Sequence, residues 1–312
     1  MDTDPRGTLL FHRDFRGLTG GHLKVWHYLR HAAASRSFRP RVFLTAASRR
    51  DASNPFLAGN PDWLVPSWQL ERADALFLAG LDWMAVPDDW SKPVVNLIQG
   101  VRHASAGDPR RGFLGRRAAR ICVSGEVADA ILATGLVNGP VYTIPNAVEV
   151  PAVDVDGVRR RTPLLVAGWK EPVRTAAVVA ALRAAGFEPE VIAARMPREA
   201  FLGRVAAAEV VVFLPLEVEG CFLPALEAFA LGSLVVCPDC VGNRQFCRDG
   251  DTCLRPGHSP ASLVAAVAQA TAMTPCDRER IVAAAQAEAA ARGLDGEKRA
   301  FLAILDDLER SW

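Results

Sequence analysis

The chain has 312 residues, half of them hydrophobic and 23% charged, with 36 Lys and Arg against 35 Asp and Glu. That length suits two domains, each with its own core, and the balance is globular rather than disordered or fibrous. A net charge of +1 gives no electrostatic case for nucleic acid as a partner, so any anion-binding site must be local.

The chain opens without the charged, apolar and small-residue regions of a signal peptide. Its apolar runs, such as "VAAAEVVVFLPL", are too short to span a bilayer. The expectation is a soluble cytoplasmic protein, with peripheral membrane contact left open. "GTLLFHRDF" reads as a strand, "RGLTGG" as a loop, and "HLKVWHYLRHAA" as a helix with Leu23, Trp26 and Leu29 on one face. "PRVFLTA", "ADALFLAG", "KPVVNLIQ" and "ARICVSG" are short apolar runs bounded by polar or turn residues, as buried parallel strands are. "EVADAILATG" is a short helix closed by Gly135, and "VYTIPNAVEV" a strand running into a turn.

The alternation lapses at "PAVDVDGVRRR", read as an interdomain linker, and then resumes. Strands "PLLVAG", "PEVIA", "EVVVFLP" and "SLVVCP" alternate with helices "TAAVVAALRAAG", "PREAFLGRVAAA", "LPALEAFALG" and "PASLVAAVAQATA". Two amphipathic helices finish the chain. The last, from about Glu297, has Phe301, Leu302, Leu305 and Leu308 on one face and is expected to pack back on the first domain. Repeated strand–helix alternation implies parallel sheets covered on both faces. The expected fold is α/β: two facing Rossmann-like domains, 1–155 and 156–296, with a cleft between their sheet edges and a final helix, 297–312.

Seven cysteines, five of them between Cys221 and Cys253, do not make a secreted disulfide framework in a chain of this length. Cys237 and Cys240 form a CxxC, with Cys247 and Cys253 beyond it, so zinc has to be weighed. The irregular spacing, and Cys237 at the end of a strand-like run, favour reduced thiols instead.

The stretch "EVEGCFLPALEAFALGSLVVCPDCVGNRQ" holds the densest chemistry. Glu219 lies on the loop after a strand, Pro224 suits the first turn of the next helix, and Glu227 falls about one turn inside it. A helix start offers N–H groups to a phosphate or hydroxyl oxygen, and a carboxylate accepts paired hydroxyls. Alone, two such glutamates would be read as solvated surface, since exposed Asp and Glu are the norm.

This stretch resembles the retaining glycosyltransferases of the GT-B fold, especially the family 4-like group. Their pattern of two glutamates separated by seven residues runs around E-G-F-G-L-P-x-L-E-A-M-A-x-G. Here it reads Glu219-Gly220-Cys221-Phe222-Leu223-Pro224-Ala225-Leu226-Glu227-Ala228-Phe229-Ala230-Leu231-Gly232. The resemblance implies that Glu227 binds the ribose of a nucleotide sugar and Glu219 faces the donor sugar. It also implies contacts from Gly220, Cys221, Phe222 and Leu223. Phe222 stands where the family has a second glycine, and Gln245 and Cys253 where it commonly has Glu and Gly. Those departures leave donor choice and activity open.

In "LLVAGWKEPVRTA" the resemblance places basic residues for the donor diphosphate. Trp169 stands where Arg is usual, Lys170 follows it, and Arg174 falls at the family's lysine. An arginine and a lysine on a strand-to-helix loop suit a diphosphate. Gly20 and Gly21, just before the first helix, match the family's glycine pair beside the donor diphosphate, although such a pair often marks only a turn. His22 and Lys24 beside them are weak candidates. His103, after "VVNLIQGVR", is the candidate for the family's cleft-facing, catalytic histidine. Ser124 and Glu126 read as helix capping.

The resemblance covers most of the chain and is specific from about Gly168 to Arg255. It implies a glycosyltransferase that moves a sugar from a nucleotide-diphosphate sugar to a saccharide, lipid-linked or other hydroxyl acceptor, with retention by front-face attack. No Asp-x-Asp pair sits at a strand end, and Asp88-Asp89 and Asp306-Asp307 read as surface, so no metal or other cofactor is expected. The alternatives are a nucleotide-sugar epimerase of the same fold and an inactive nucleotide- or sugar-binding protein.

Overall fold

A computed structural model describes residues 5–149, 162–308, 310 and 312. Two compact units divide the chain: Met1–Asn146 with Leu294–Trp312, and Ala147–Gly293. The expected linker, 151–161, lies outside the described residues.

Unit 1 is built on seven parallel strands: β1 (Gly7–Arg13), β2 (Phe38–Leu44), β3 (Leu64–Val65), β4 (Ala75–Ala79), β5 (Val94–Ile98), β6 (Ala119–Cys122) and β7 (Val141–Thr143). Their order, β3-β2-β1-β4-β5-β6-β7, is that of a Rossmann sheet. Every residue of β4 and β5 is buried, which is why "ALFLA" and "VVNLI" carry apolar residues without alternation. The helices are α1 (Gly20–Ala32), the single turn α2 (Pro55–Ala58) and α3 (Gly125–Leu132). Buried Arg120 on β6 donates to the carbonyls of Phe113, Leu114, Arg116, Ala118 and Asn138 at 2.5–3.1 Å, tying the loops around the sheet edge together.

Gly20 and Gly21 do not form the tight turn expected of them. They are the first two residues of α1, neither has a positive φ, and the cap is Thr19, whose Oγ1 accepts from the N–H of His22 at 3.3 Å. The helix needs no left-handed residue there because Thr19, in extended conformation, makes the turn.

Unit 2 has four parallel strands, β8 (Thr162–Ala167), β9 (Glu190–Ile192), β10 (Ala208–Phe213) and β11 (Leu234–Val236), in the order β11-β10-β8-β9. Five helices cover it: α4 (Pro172–Ala184), α5 (Arg198–Ala207), α6 (Leu223–Ala230), α7 (Pro260–Ala272) and α8 (Pro275–Ala291). Side chains split by the period of two. Leu164, Val166, Val210, Val212, Leu234 and Val236 meet α4 and α7, while Leu165, Ala167, Val211, Phe213 and Val235 meet α5, α6 and α8. The first crossover, through α4, runs to one side of β8, and the chain then returns through α5 to its other side. β8 and β10 are therefore neighbours at the switch point, where the connections leave a crevice at the carboxyl edge.

Cys237, Cys240, Cys247 and Cys253 are buried free thiols on the α6 side of this sheet. Burial, and then the neighbouring Cys237 and Cys253, push the Cys247 thiol well up. Among the described residues no group of three or more His, Cys, Asp or Glu is arranged to hold a metal ion.

The last helix, α9 (Leu294–Asp307), belongs to unit 1 and lies along α1. Phe301 packs edge-on against Tyr28 and Phe77, with ring centroids 4.8 and 5.9 Å away. Within this apolar seam, Glu297 pairs with Lys24 and takes a 3.0 Å bond from His31 Nε2. Lys24, one of the weak candidates for a ligand contact, is fully buried and holds α9 instead. Among the described residues no helix is long and apolar enough to cross a membrane.

Candidate functional site

Lys170, Arg174, Glu219 and Glu227, all singled out in the sequence, stand on the loops at the switch point of unit 2 or within a turn or so of them. The loop after β8 is tight because Thr175 in the first turn of α4 donates to the Gly168 and Glu171 carbonyls at 2.7 and 2.8 Å. A Cβ on Gly168 would lie 2.0 Å from Thr175 Oγ1 and 3.0 Å from Leu214, so this close approach requires glycine. Trp169, at the family's arginine position, packs edge-on against Phe201 of α5 at 5.4 Å and braces the loop. Lys170 is thereby projected over the Phe222 ring, 5.6 Å from its centroid, and forms an ion pair with Glu219.

The loop after β10 carries Glu219 and is stitched to the segment that follows β11. Val241 N–H donates to Glu217 O at 3.0 Å, and Phe222 N–H to Gly242 O at 2.9 Å. Gly242 sits so close that a Cβ would meet Cys221 N at 2.8 Å and Glu219 O at 2.9 Å. Asn243 fixes the same turn, accepting from Cys240 N–H at 3.1 Å and donating to Pro238 O at 2.8 Å. The "GNR" after the strand is thus the seat of the glutamate loop. Phe222 and Leu223, expected at the sugar, turn their side chains into the core, where Phe222 meets Phe213 edge-on at 5.5 Å. What Leu223 can offer a ligand is backbone, whereas the Phe222 N–H is already given to Gly242 O. No side chain caps α6 at Phe222.

Glu227, inside α6, is only 6% exposed. Its Oε1 takes two bonds from Arg198, the first residue of α5: 3.1 Å from Nε and 2.7 Å from Nη2. Nη2 also donates to the Glu149 carbonyl at 2.6 Å. Burial pushes the Glu227 carboxyl up and the Arg198 charge opposes that, with burial the larger effect. Arg174 holds His258 Nδ1 through Nη2 at 2.7 Å, which makes Nδ1 the acceptor, and its own buried Nε has no hydrogen-bond partner among the described residues. Arg198 and His258 were invisible to sequence reasoning. They lie 29 and 84 residues from their partners, and neither belongs to a local motif.

The remaining candidates belong to unit 1. Gln99 Nε2 donates to Gly21 O at 3.3 Å, so the end of β5 and the start of α1 meet at the carboxyl edge of that sheet. His103 lies in a short 3-10 turn, Val101–Ala104, and is 4% exposed. Burial first, and then the Arg110 charge, push its imidazole down to about 3. It is a neutral imidazole at neutral pH, able to accept or donate a hydrogen bond but not to carry charge. His22 is likewise pushed down to about 4, by burial and the Arg13 charge.

Residues 140–272 match the family model described as glycosyl transferases group 1. A search of curated protein sequences finds no match. Among solved structures the chain is similar to HepE of Anabaena in complex with UDP and glucose, with TM-score 0.76 and 15% identity, covering 97% of this chain and 100% of that one. It is also similar to sucrose-phosphate synthase of Thermosynechococcus elongatus, with TM-score 0.72 and 13% identity over 98% and 100% of the two chains. A putative UDP-N-acetylglucosamine 2-epimerase of Listeria monocytogenes matches at TM-score 0.62 and 12% identity, over 98% of each chain. At these identities the structural likenesses speak to the fold, which is GT-B, with two Rossmann-like units. The fold of the chain is GT-B, and the match over residues 140–272 supports a glycosyltransferase.

Proposed function

We propose that the chain transfers a sugar from a nucleotide-diphosphate sugar to an acceptor hydroxyl, with retention at the anomeric carbon and without a metal ion. The observation that carries this reading is the arrangement at the switch point of unit 2. Lys170 and Glu219 come from the two strands that flank the crevice, and Glu227 lies one helical turn beyond. HepE, with the same fold, is described with UDP-glucose.

Lys170 and Arg174 neutralise the departing diphosphate, the largest charge that develops during transfer. Before donor binds, Lys170 rests on Glu219, so a diphosphate has to replace that carboxylate as its partner. Glu219 is then released toward the donor sugar. Glu227 binds the ribose. The backbone of Gly220, Cys221, Phe222 and Leu223 lines the sugar, Gly20 and Gly21 offer the bare start of α1 to the diphosphate, and neutral His103 hydrogen-bonds a sugar or acceptor hydroxyl. The acceptor is a saccharide, a lipid-linked sugar or another hydroxyl compound.

The test is incubation with UDP-, GDP- and ADP-sugars in excess chelator, with and without simple sugar acceptors, followed by mass spectrometry and NMR of the anomeric centre. Release of nucleoside diphosphate with an α-linked product from an α-donor is expected. An isomerised donor with no transfer would place the chain with the epimerases. No turnover with intact nucleotide binding would make it a binding protein.

A further inference from the structure

We infer that Arg198 is a positioning residue for nucleotide recognition: it grips Glu227 by one oxygen and leaves the other as the one presented to the ribose hydroxyls. This rests on the ribose role proposed for Glu227. Both bonds from the guanidinium, 3.1 and 2.7 Å, end on Oε1, and among the described residues Oε2 accepts none. A free glutamate would rotate about its last torsion. A fork anchored on Oε1, and tied by the same Nη2 to the Glu149 carbonyl, fixes the carboxylate plane and so the direction of Oε2.

Arg198 also supplies the charge that offsets burial. At 6% exposure burial pushes the Glu227 carboxyl up and the Arg198 charge opposes that; protonation would turn one oxygen into a donor and remove the charge that strengthens a hydroxyl contact. No other charged group takes over this role. α6 packs against α5 and α8 and lies over β10 and β11. On α8, Glu288 is paired with Arg248 and Arg292, at 2.8 Å each. On β10, Glu209 is paired with Arg278 at 3.1 Å. On α5, Arg204 pairs with Glu190 at 3.1 Å and Glu199 is exposed. β11 carries no titratable side chain.

The experiment measures the affinity of UDP, GDP, ADP and inorganic pyrophosphate by calorimetry, from pH 7 to pH 9, for the wild type, Arg198→Gln, Arg198→Lys and Glu227→Gln. With the nucleotide that the wild type binds best, Arg198→Gln should lose about tenfold or more at pH 7. That loss should be no smaller at pH 7 than at pH 9, because losing the Arg198 charge pushes the Glu227 carboxyl further up, while pyrophosphate binds as in the wild type. Arg198→Lys keeps the charge without the fork and should show a smaller, pH-independent loss. Should Arg198→Gln not fold, Arg198→Lys carries the test, because pyrophosphate must remain unaffected while nucleotide weakens. Equal weakening of nucleotide and pyrophosphate, or a loss in Arg198→Gln that grows toward pH 9, would overturn the inference. Wild-type affinity in Arg198→Gln alongside a loss in Glu227→Gln would remove Arg198 and leave the ribose role standing. Wild-type affinity in both would remove the ribose role itself, and the inference with it.

Discussion

Breaking the buried pair that holds α9 to α1 should destabilise the protein far more than a surface ion pair would. Lys24 and Glu297 have side chains 0% and 1% exposed, so neither can recover its hydration if the other is removed. Removing one partner of such a pair destabilises by about 3–5 kcal/mol, whereas replacing both by apolar groups of similar volume is often near neutral. His31, 3.0 Å from Glu297, and His27, 3.0 Å from Lys24 Nζ, share the network. Burial and the Lys24 charge push His27 down to about 3, so it stays neutral and cannot substitute for the lysine's charge. Glu297→Leu and Lys24→Met should therefore each lower stability by about 3 kcal/mol or more, while the double variant should lie within about 2 kcal/mol of wild type. Urea unfolding of the four proteins, with slopes compared as well as midpoints, gives the coupling energy. Single losses of about 1 kcal/mol that simply add in the double variant would refute the reasoning, since that is the behaviour of an exposed pair.

Two further outcomes are expected. Gly242→Ala sets a Cβ 2.8 Å from Cys221 N and 2.9 Å from Glu219 O, and backbone cannot yield as a flexible side chain would. It should destabilise by about 1–3 kcal/mol. It should also lower turnover more than nucleotide affinity, because it displaces the Glu219 loop and leaves α6 in place; unchanged kcat and stability would contradict the stitched-loop geometry. Acid should destabilise unit 1 through its buried histidines. His22, His27 and His103 have folded-state values near 4, 3 and 3, below the ordinary 6.5, so all three are neutral in both states above that value. As pH falls below 6.5 the unfolded chain binds protons that the folded one refuses, and stability falls by up to about 1.4 kcal/mol per pH unit for each histidine. Between about pH 6.5 and 5.5, above the ordinary carboxylate values, His103→Asn should flatten this slope; a slope equal to wild type would mean that His103 is not held neutral.

The strands of both units, the two-residue β3 apart, were legible because parallel strands buried on both faces are short unbroken apolar runs, as in "ALFLA" and "VVVF". The glutamate loop and the basic loop were legible because a strand end followed by a helix start concentrates glycine, proline and charge within a few residues. What the sequence did not carry was partnership over distance. Glu227 read as a free carboxylate able to take two ribose hydroxyls, but one of its oxygens is held by Arg198, 29 positions away. Lys24 read as a weak ligand candidate at the start of a helix beside the glycine pair, yet it is buried against Glu297, 273 positions on. Phe222 looked like an obstacle at the sugar, and it faces the core because the residue at a helix N-cap can aim its side chain back under the loop. Gly20 and Gly21 misled in the opposite direction, since a glycine pair signals a turn and Thr19 already makes it.

The central claim is that unit 2 holds a nucleotide sugar with one glutamate at each end, and the contrast between Glu227→Ala and Glu219→Ala tests it most directly. Nucleoside diphosphate affinity and steady-state kinetics would be measured for both variants, in excess chelator. With Oε2 as the oxygen left for ribose, Glu227→Ala removes about one charge-assisted bond, about 1.5–3 kcal/mol, which corresponds to an affinity loss of roughly 10- to 150-fold for free nucleotide and for donor alike. Glu219→Ala frees Lys170 from its ion pair, so nucleotide should bind as well as in wild type or better, while kcat falls. Wild-type affinity and turnover in both variants would contradict the claim and leave the two glutamates as partners of Lys170 and Arg198 alone.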